Sequence, residues 1–268
     1  MTAAVATRPA AAPIPAPLHV EGLSLRFGGI HVLEGLDATF EPGRITGLIG
    51  PNGAGKTSFF NCLTGLYLPQ EGRIRLGSTA VGHLQPNRRA MLGFARSFQH
   101  VALCPELSCV ENVMAGLQRQ ARSGWLSAFL PFPAANAERQ AHRELARQAL
   151  ERVGAGKAAD ALPAELPPGM LRLVEIARAI VGKPQVLLLD EPAAGLNSAE
   201  TAELAAVLLR LRQPDLVLLV VEHDMDLIMG ICDTIHVLSA GRMLAHGTPA
   251  DIRANPEVVR IYLGDEDV

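Results

Sequence analysis

RITGLIGPNGAGKTSFFNCL, residues 44 to 63, decides the fold. Arg44 to Ile49 is a short apolar run ending in a glycine-rich loop, and Ser58 to Leu63 has the character of a helix, so the stretch reads strand, loop, helix. Between them, Gly50-Pro51-Asn52-Gly53-Ala54-Gly55-Lys56-Thr57 matches G-x-x-x-x-G-K-[ST] in the context that motif requires. Glycines let the chain turn tightly enough for successive N–H groups to converge on phosphate oxygens, and the positive end of the following helix adds to their pull. Gly50, Pro51, Asn52, Gly53, Ala54, Gly55, Lys56, Thr57 and Ser58 are therefore the candidate residues for holding ATP. Lys56 is expected at the β and γ phosphates and Thr57 at Mg2+, a hard cation that prefers oxygen ligands. A chance glycine turn ahead of a helix is the alternative, and the context weighs against it.

Working outward, Val186-Leu187-Leu188-Leu189-Asp190-Glu191 sets two carboxylates at the end of a buried strand, where open α/β sheets place their ligands. Asp190 is the expected Mg2+ ligand and Glu191 the expected general base for the attacking water. Leu216 to Val221 is a second compact aliphatic run, which suits a parallel sheet covered on both faces. Nearer the start, Leu23, Leu25 and Phe27 alternate with Ser24 and Arg26 as a half-buried strand does, and Glu41-Pro42-Gly43 reads as a turn. Residues 100 to 180 are rich in Ala, Arg, Gln and Glu, with Leu145, Ala149 and Val153 at helical spacing before Gly154. They are expected to form a mainly helical subdomain within an α/β fold. Thr248-Pro249-Ala250-Asp251 predicts the start of a short C-terminal helix.

Bulk properties narrow the function. With 268 residues, 49% of them apolar, the chain can bury a substantial core. A net charge of -3 without a basic stripe speaks against nucleic acid as a partner. The longest aliphatic run is far short of the roughly 20 residues a membrane span needs. Cys62, Cys104, Cys109 and Cys232 show no C-x-x-C pair and are expected to fill the core. The Ala/Pro-rich residues 1 to 17 read as a disordered tail, because prolines at 9, 13, 15 and 17 interrupt any signal-like apolar region. Trp125 to Phe132 is unusually apolar, and core packing is the expectation for it, with docking on a membrane partner as the alternative.

After Asp190-Glu191-Pro192 come Ala193-Ala194-Gly195-Leu196-Asn197 and, later, Val221-Glu222-His223-Asp224. With the phosphate loop, this order resembles an ABC transporter ATPase subunit from about residue 18 to the C-terminus. The resemblance implies a P-loop NTPase core with a mixed, largely parallel sheet and antiparallel N-terminal strands. That core would span about 18 to 99 and 181 to 247, with a helical subdomain inserted at about 100 to 180 and C-terminal helices at about 248 to 264. It further implies that Phe27 stacks on adenine, that Gln99 in Ser97-Phe98-Gln99 lies at the nucleotide and the metal, and that His223 is a switch near the γ-phosphate. Each has a plainer alternative: a core aromatic, a solvated loop residue, a histidine bonded at a strand end. The family's L-S-G-G-Q signature, which lies on the γ-phosphate of ATP held by the opposite subunit, reads Leu166-Pro167-Pro168-Gly169-Met170 here. Gly169 and the following Glu175-Ile176-Ala177-Arg178 match, while the serine hydroxyl and glutamine amide are absent; a proline pair is also simply a good helix start.

Within the family, Glu222-His223-Asp224-Met225, Gly247-Thr248-Pro249 and Ile261-Tyr262-Leu263-Gly264 look like the subgroup serving branched-chain amino acid importers. The implied partners are a second ABC ATPase, a heterodimer being favoured by the degenerate signature, two transmembrane permease subunits and, indirectly, a solute-binding protein. The implied location is the cytoplasmic face of the inner membrane. Lipopolysaccharide export is a close alternative, and a soluble ABC ATPase in DNA repair or translation a more distant one. The 132 residues between Thr57 and Asp190 are too few for the coiled-coil arms of repair members together with a helical subdomain.

Overall fold

The computed structural model describes residues 15–97, 102–120 and 133–263. Residues 1–14, Gln99 and the apolar segment 125–132 lie outside the described residues. Strands β1 (Leu18–Phe27) and β2 (Ile30–Phe40) form an antiparallel hairpin, and β3 (Ile45–Ile49) leads through the glycine loop into helix α1 (Lys56–Thr64). Next come β4 (Glu71–Leu76), β5 (Thr79–Ala80), α2 (Pro86–Met91) and β6 (Phe94–Arg96). Helices α3 (Cys109–Met114), α4 (Pro133–Val153) and α5 (Pro168–Ile180) fill the chain before β7 (Val186–Asp190). The remainder is α6 (Ser198–Leu211), β8 (Val217–Val221), α7 (Met225–Ile231), β9 (Thr234–Ser239), β10 (Arg242–Gly247), α8 (Pro249–Ala254) and α9 (Pro256–Leu263).

Two sheets result. The smaller runs β2-β1-β4-β5 and is antiparallel; the larger runs β10-β9-β3-β8-β7-β6 and is parallel except at β10. Every residue of β3, β7 and β8 is buried, which is why these strands read as unbroken aliphatic runs. Their two-residue period still sorts the side chains. Ile45, Ile49, Leu187, Leu189, Leu218 and Val220 join a core with α3, α4, α5, α6 and α7, whereas Leu48, Val186, Leu188, Val217, Leu219 and Val221 join a second core with α1 and the antiparallel sheet. Each face of the large sheet thus has its own apolar layer.

One ion anchors the lower end of α1. Arg89 on α2 is fully buried, and its guanidinium donates to the carbonyl oxygens of Cys62, Leu63, Gly82 and Leu84 at 2.5 to 3.0 Å. Burial lowers its pKa to about 10, and the helix-end carbonyls it caps offset that cost. Cys62, Cys109 and Cys232 fill the core as their composition predicts, but Cys104 does not: it is exposed, its Sγ 3.1 Å from the Glu106 carboxylate. Its position in a turn ahead of α3 explains the difference.

Candidate functional site

Strand β8 sits between β3 and β7, with Leu48 and Asp190 both in register with Val221. The loops leaving the C-terminal ends of these three strands therefore emerge side by side and carry the phosphate loop, Asp190-Glu191 and Glu222-His223. This is the edge at which parallel α/β sheets bind ligands.

The phosphate loop needs its glycines. A Cβ at Gly50, whose φ is +155°, would stand 2.0 Å from the Leu238 carbonyl oxygen, and one at Gly55, with φ +104°, would meet Leu33 at 2.8 Å. Gly55 is also the N-cap of α1, whose first turn has no acidic residue to compete for its free N–H groups. Lys56 curls back over the loop, its Nζ donating to Gly50 O at 2.5 Å and Pro51 O at 3.0 Å. Burial lowers its pKa, opposed by the charges of Glu191 and Asp190, so the ammonium and both carboxylates share one electrostatic neighbourhood. A phosphate entering the loop would take over those ammonium protons. Thr57 lies exposed one residue further on, and Ser58 is half-buried.

Asp190 is buried and salt-bridged at 2.5 Å to Arg96 on the adjacent strand β6. Arg96 also donates to Asn61 Oδ1 at 2.6 Å and lies over the Phe60 ring, so it ties the carboxylate to α1. Glu191 has φ +46°, a left-handed conformation unfavourable for a side chain with a Cβ. Its N–H bonds Val221 O at 2.9 Å, Arg172 approaches its carbonyl at 3.5 Å, and Ala194 N–H bonds that same carbonyl at 3.1 Å. Backbone contacts on both sides hold the strained residue in place.

At the end of β8, Glu222 is buried while the neighbouring His223 side chain is two-thirds exposed, at 67%. The ring is therefore open to solvent at the edge where the phosphate loop and Asp190-Glu191 also emerge. Phe27 is 48% exposed and meets Tyr67 edge-on, ring centroids 5.1 Å apart. Gln70 fixes the loop that carries Tyr67 by accepting from Arg26 N and donating to Arg26 O. Phe27 is thus not a core aromatic; with Tyr67 it makes an open aromatic ledge. Gly169 opens the first turn of α5 behind Pro167 and Pro168, where no side chain caps the helix. A Cβ there would stand 2.8 Å from Glu200 Oε1 on α6. Gln99 cannot be placed, as it lies outside the described residues.

Sequence reasoning gave no task to Arg96, Tyr67 or Glu222, nor to the trio Arg172, Glu175 and Arg178, of which the first two are buried and Arg178 is half-buried. In that trio the Glu175 carboxylate takes the Arg172 guanidinium at 2.8 Å and the Ala102 N–H at 3.1 Å, and Arg178 donates to Ala102 O at 2.6 Å. The middle and last turn of α5 are thereby pinned to the chain at Ala102, shortly after position 99. Burial pushes the Glu175 carboxyl pKa up, against the pull of its donors.

The ABC transporter family model matches residues 33–194. This chain belongs to the ABC transporter family. A second model, described as branched-chain amino acid ATP-binding cassette transporter, matches residues 242–268. Among curated relatives, the high-affinity branched-chain amino acid transport ATP-binding protein LivG of Escherichia coli K12 is 43% identical over 92% of this chain and 98% of its own. BraF of Pseudomonas aeruginosa, described in the same words, is 41% identical over the same shares. Among solved structures, MJ1267, an ATP-binding cassette of an ABC transporter, superposes with a TM-score of 0.80 at 28% identity, covering 93% of this chain and 99% of that one. The chain is accordingly an ABC ATPase with the α/β architecture of such cassettes, and it binds ATP. No helix among the described residues is long and apolar enough to cross a membrane.

Proposed function

We propose that this ABC ATPase energises an importer of branched-chain amino acids. The likeness to LivG over nearly the full length of both chains carries the reading, and the match of residues 242–268 to the branched-chain amino acid ATP-binding cassette transporter model agrees with it.

Within the site, Gly50 to Ser58 cradle the phosphates, Lys56 neutralises the β and γ groups, and Phe27 offers its exposed face to the base. Glu191 orients the attacking water and takes its proton, and His223 reaches the γ-phosphate from the end of β8. Thr57 and Asp190 would hold Mg2+, which neutralises phosphate charge when bound, with Gln99 as a further ligand. The donor set fits such an ion: Thr57 presents a hydroxyl at the start of α1, and Arg96 takes one oxygen of Asp190, Oδ2. Among the described residues, no group of three or more His, Cys, Asp or Glu is placed to hold a metal ion.

The partners we propose are a second ABC ATPase, two transmembrane permease subunits and, through them, a solute-binding protein, at the cytoplasmic face of the inner membrane. The test is uptake of labelled leucine, isoleucine and valine by cells lacking this chain. Uptake should fall and be restored by the wild type but not by Lys56→Ala; uptake that persists in the deletion overturns the assignment.

A further inference from the structure

Glu222 is a buried carboxylate to which the reading above gives no task. It is 1% exposed, at the junction of β8 with the loop bearing His223. Taking a carboxylate out of water is costly unless donors replace its hydration. Here the donors are backbone N–H groups from two different loops. Oε1 accepts from Ala193 N at 2.6 Å, two residues after Glu191, and Oε2 accepts from His223 N at 3.1 Å, with a further backbone hydrogen bond from Asp224. The His223 ring Nδ1 lies 3.8 Å from Oε2.

We propose that Glu222 is a positioning residue that clamps the loop carrying Glu191 to the loop carrying His223, so that base and switch move as one unit. The inference rests on the ATPase reading of those two residues. Its physical ground is that the donors converging on the side chain are N–H groups, which require acceptors on both oxygens. A glutamine would turn an NH2 toward one of them and release one loop. An apolar residue would leave the buried N–H groups without acceptors. Glu191 is also held in a left-handed conformation by backbone contacts at Val221 O, directly before Glu222, so loosening the clamp frees the strain that the site stores.

The experiment uses the full chain, with amide hydrogen exchange and ATPase kinetics on Glu222→Gln, His223→Ala and the double variant. Glu222→Gln should lose exchange protection at Ala193 or His223 while β7 stays protected. Its kcat should fall about 10- to 100-fold with KM for ATP within about twofold, because a small misplacement of reacting groups is costly in rate. In the His223→Ala background the same substitution should cost markedly less, since one of the two clamped groups is already gone. Glu222→Asp, which keeps the charge on a shorter arm, guards against a Gln variant that fails to fold: it should free Ala193 while leaving the adjacent His223 amide protected. Unchanged protection at both amides, or strictly multiplicative kinetic losses, overturns the clamp. Absence of ATP turnover in the wild type even when mixed with a second ABC ATPase would instead strike the ATPase reading, and the exchange data would still decide the clamp.

Discussion

Arg96 Nη2 stands 2.5 Å from Asp190 Oδ2, across the neighbouring strands β6 and β7, with the two side chains only 10% and 5% exposed. An aspartate expected to meet a cation is therefore held in place by a cation of the protein itself. Removing Arg96 would leave a buried charge without its partner, a change that typically costs about 3–5 kcal/mol. Arg96→Ala should lower the urea midpoint accordingly, whereas Arg96→Ala with Asp190→Asn should recover much of the loss. A double variant no more stable than the single one would show that the loss does not come from the unpaired Asp190 charge.

Glu191→Gln should bind ATP as the wild type does and hydrolyse it far more slowly, because the amide can orient water but cannot accept its proton. Lys56→Ala should impair both, with a rate loss on the order of 10² to 10³ from the missing electrostatic contact. Fluorescent-nucleotide binding beside phosphate release separates the two. Wild-type turnover in Glu191→Gln removes this residue from the role of base.

The signature position predicts asymmetry between subunits. Pro167 and Pro168 supply neither a hydroxyl nor an N–H, so Gly169 gives the first backbone donor of α5. Alone, this chain should turn ATP over weakly; mixed with an ABC ATPase bearing a serine-containing signature, it should be stimulated, and Glu191→Gln here should cost more than the equivalent change in the partner. Robust turnover by the unmixed chain would sink the heterodimer model.

His236 on β9 is buried against Phe40, with His246 also stacked on it and its Nδ1 without a hydrogen-bond partner. Burial, with His246 adding to it, lowers its pKa to about 4 from an ordinary 6.5. The folded protein thus resists a proton that the unfolded chain accepts below 6.5. The stability this contributes is complete above pH 6.5 and lost as pH falls toward 4, a change of about 3 kcal/mol at 1.36 per unit. His236→Phe should flatten that acid slope in urea titrations from pH 7 to 4. An identical slope in the variant would show that carboxylates, not His236, govern it.

What the sequence made legible was what is contiguous. The phosphate loop carries its glycines, lysine and threonine within eight positions, and the strand ahead of Asp190 declares itself by burial on both faces. The residues it concealed act across long separations: Arg96 and Asp190 are 94 positions apart, and Ala102 and Glu175 are 73. Nothing local distinguishes Arg96 from any arginine at a strand end. Glu222 was in plain view beside His223, yet a glutamate in that place reads as a surface charge until Ala193 is seen to point at it. Tyr67 follows α1 in a loop whose path depends on Gln70 reaching Arg26, a pairing no periodicity reveals.

The crowding between Gly169 and Glu200 bears on how any variant of that glycine is interpreted. Glu200 Oε2 accepts from Asn197 N at 3.0 Å while Asn197 Oδ1 accepts from Ala199 N and Glu200 N, the reciprocal cap that starts α6. A methyl group at position 169 would displace the Glu200 side chain and undo that cap, worth about 1 kcal/mol. Inactivity in Gly169→Ala would then be an ambiguous phenotype, since one substitution injures two helix starts within the same subunit before any neighbour is involved. A suppressor screen could separate the causes: Glu200→Ala would relieve the crowding while keeping the Asn197 half of the cap, and would do nothing for a molecule that had lost its grip on a neighbour's phosphate.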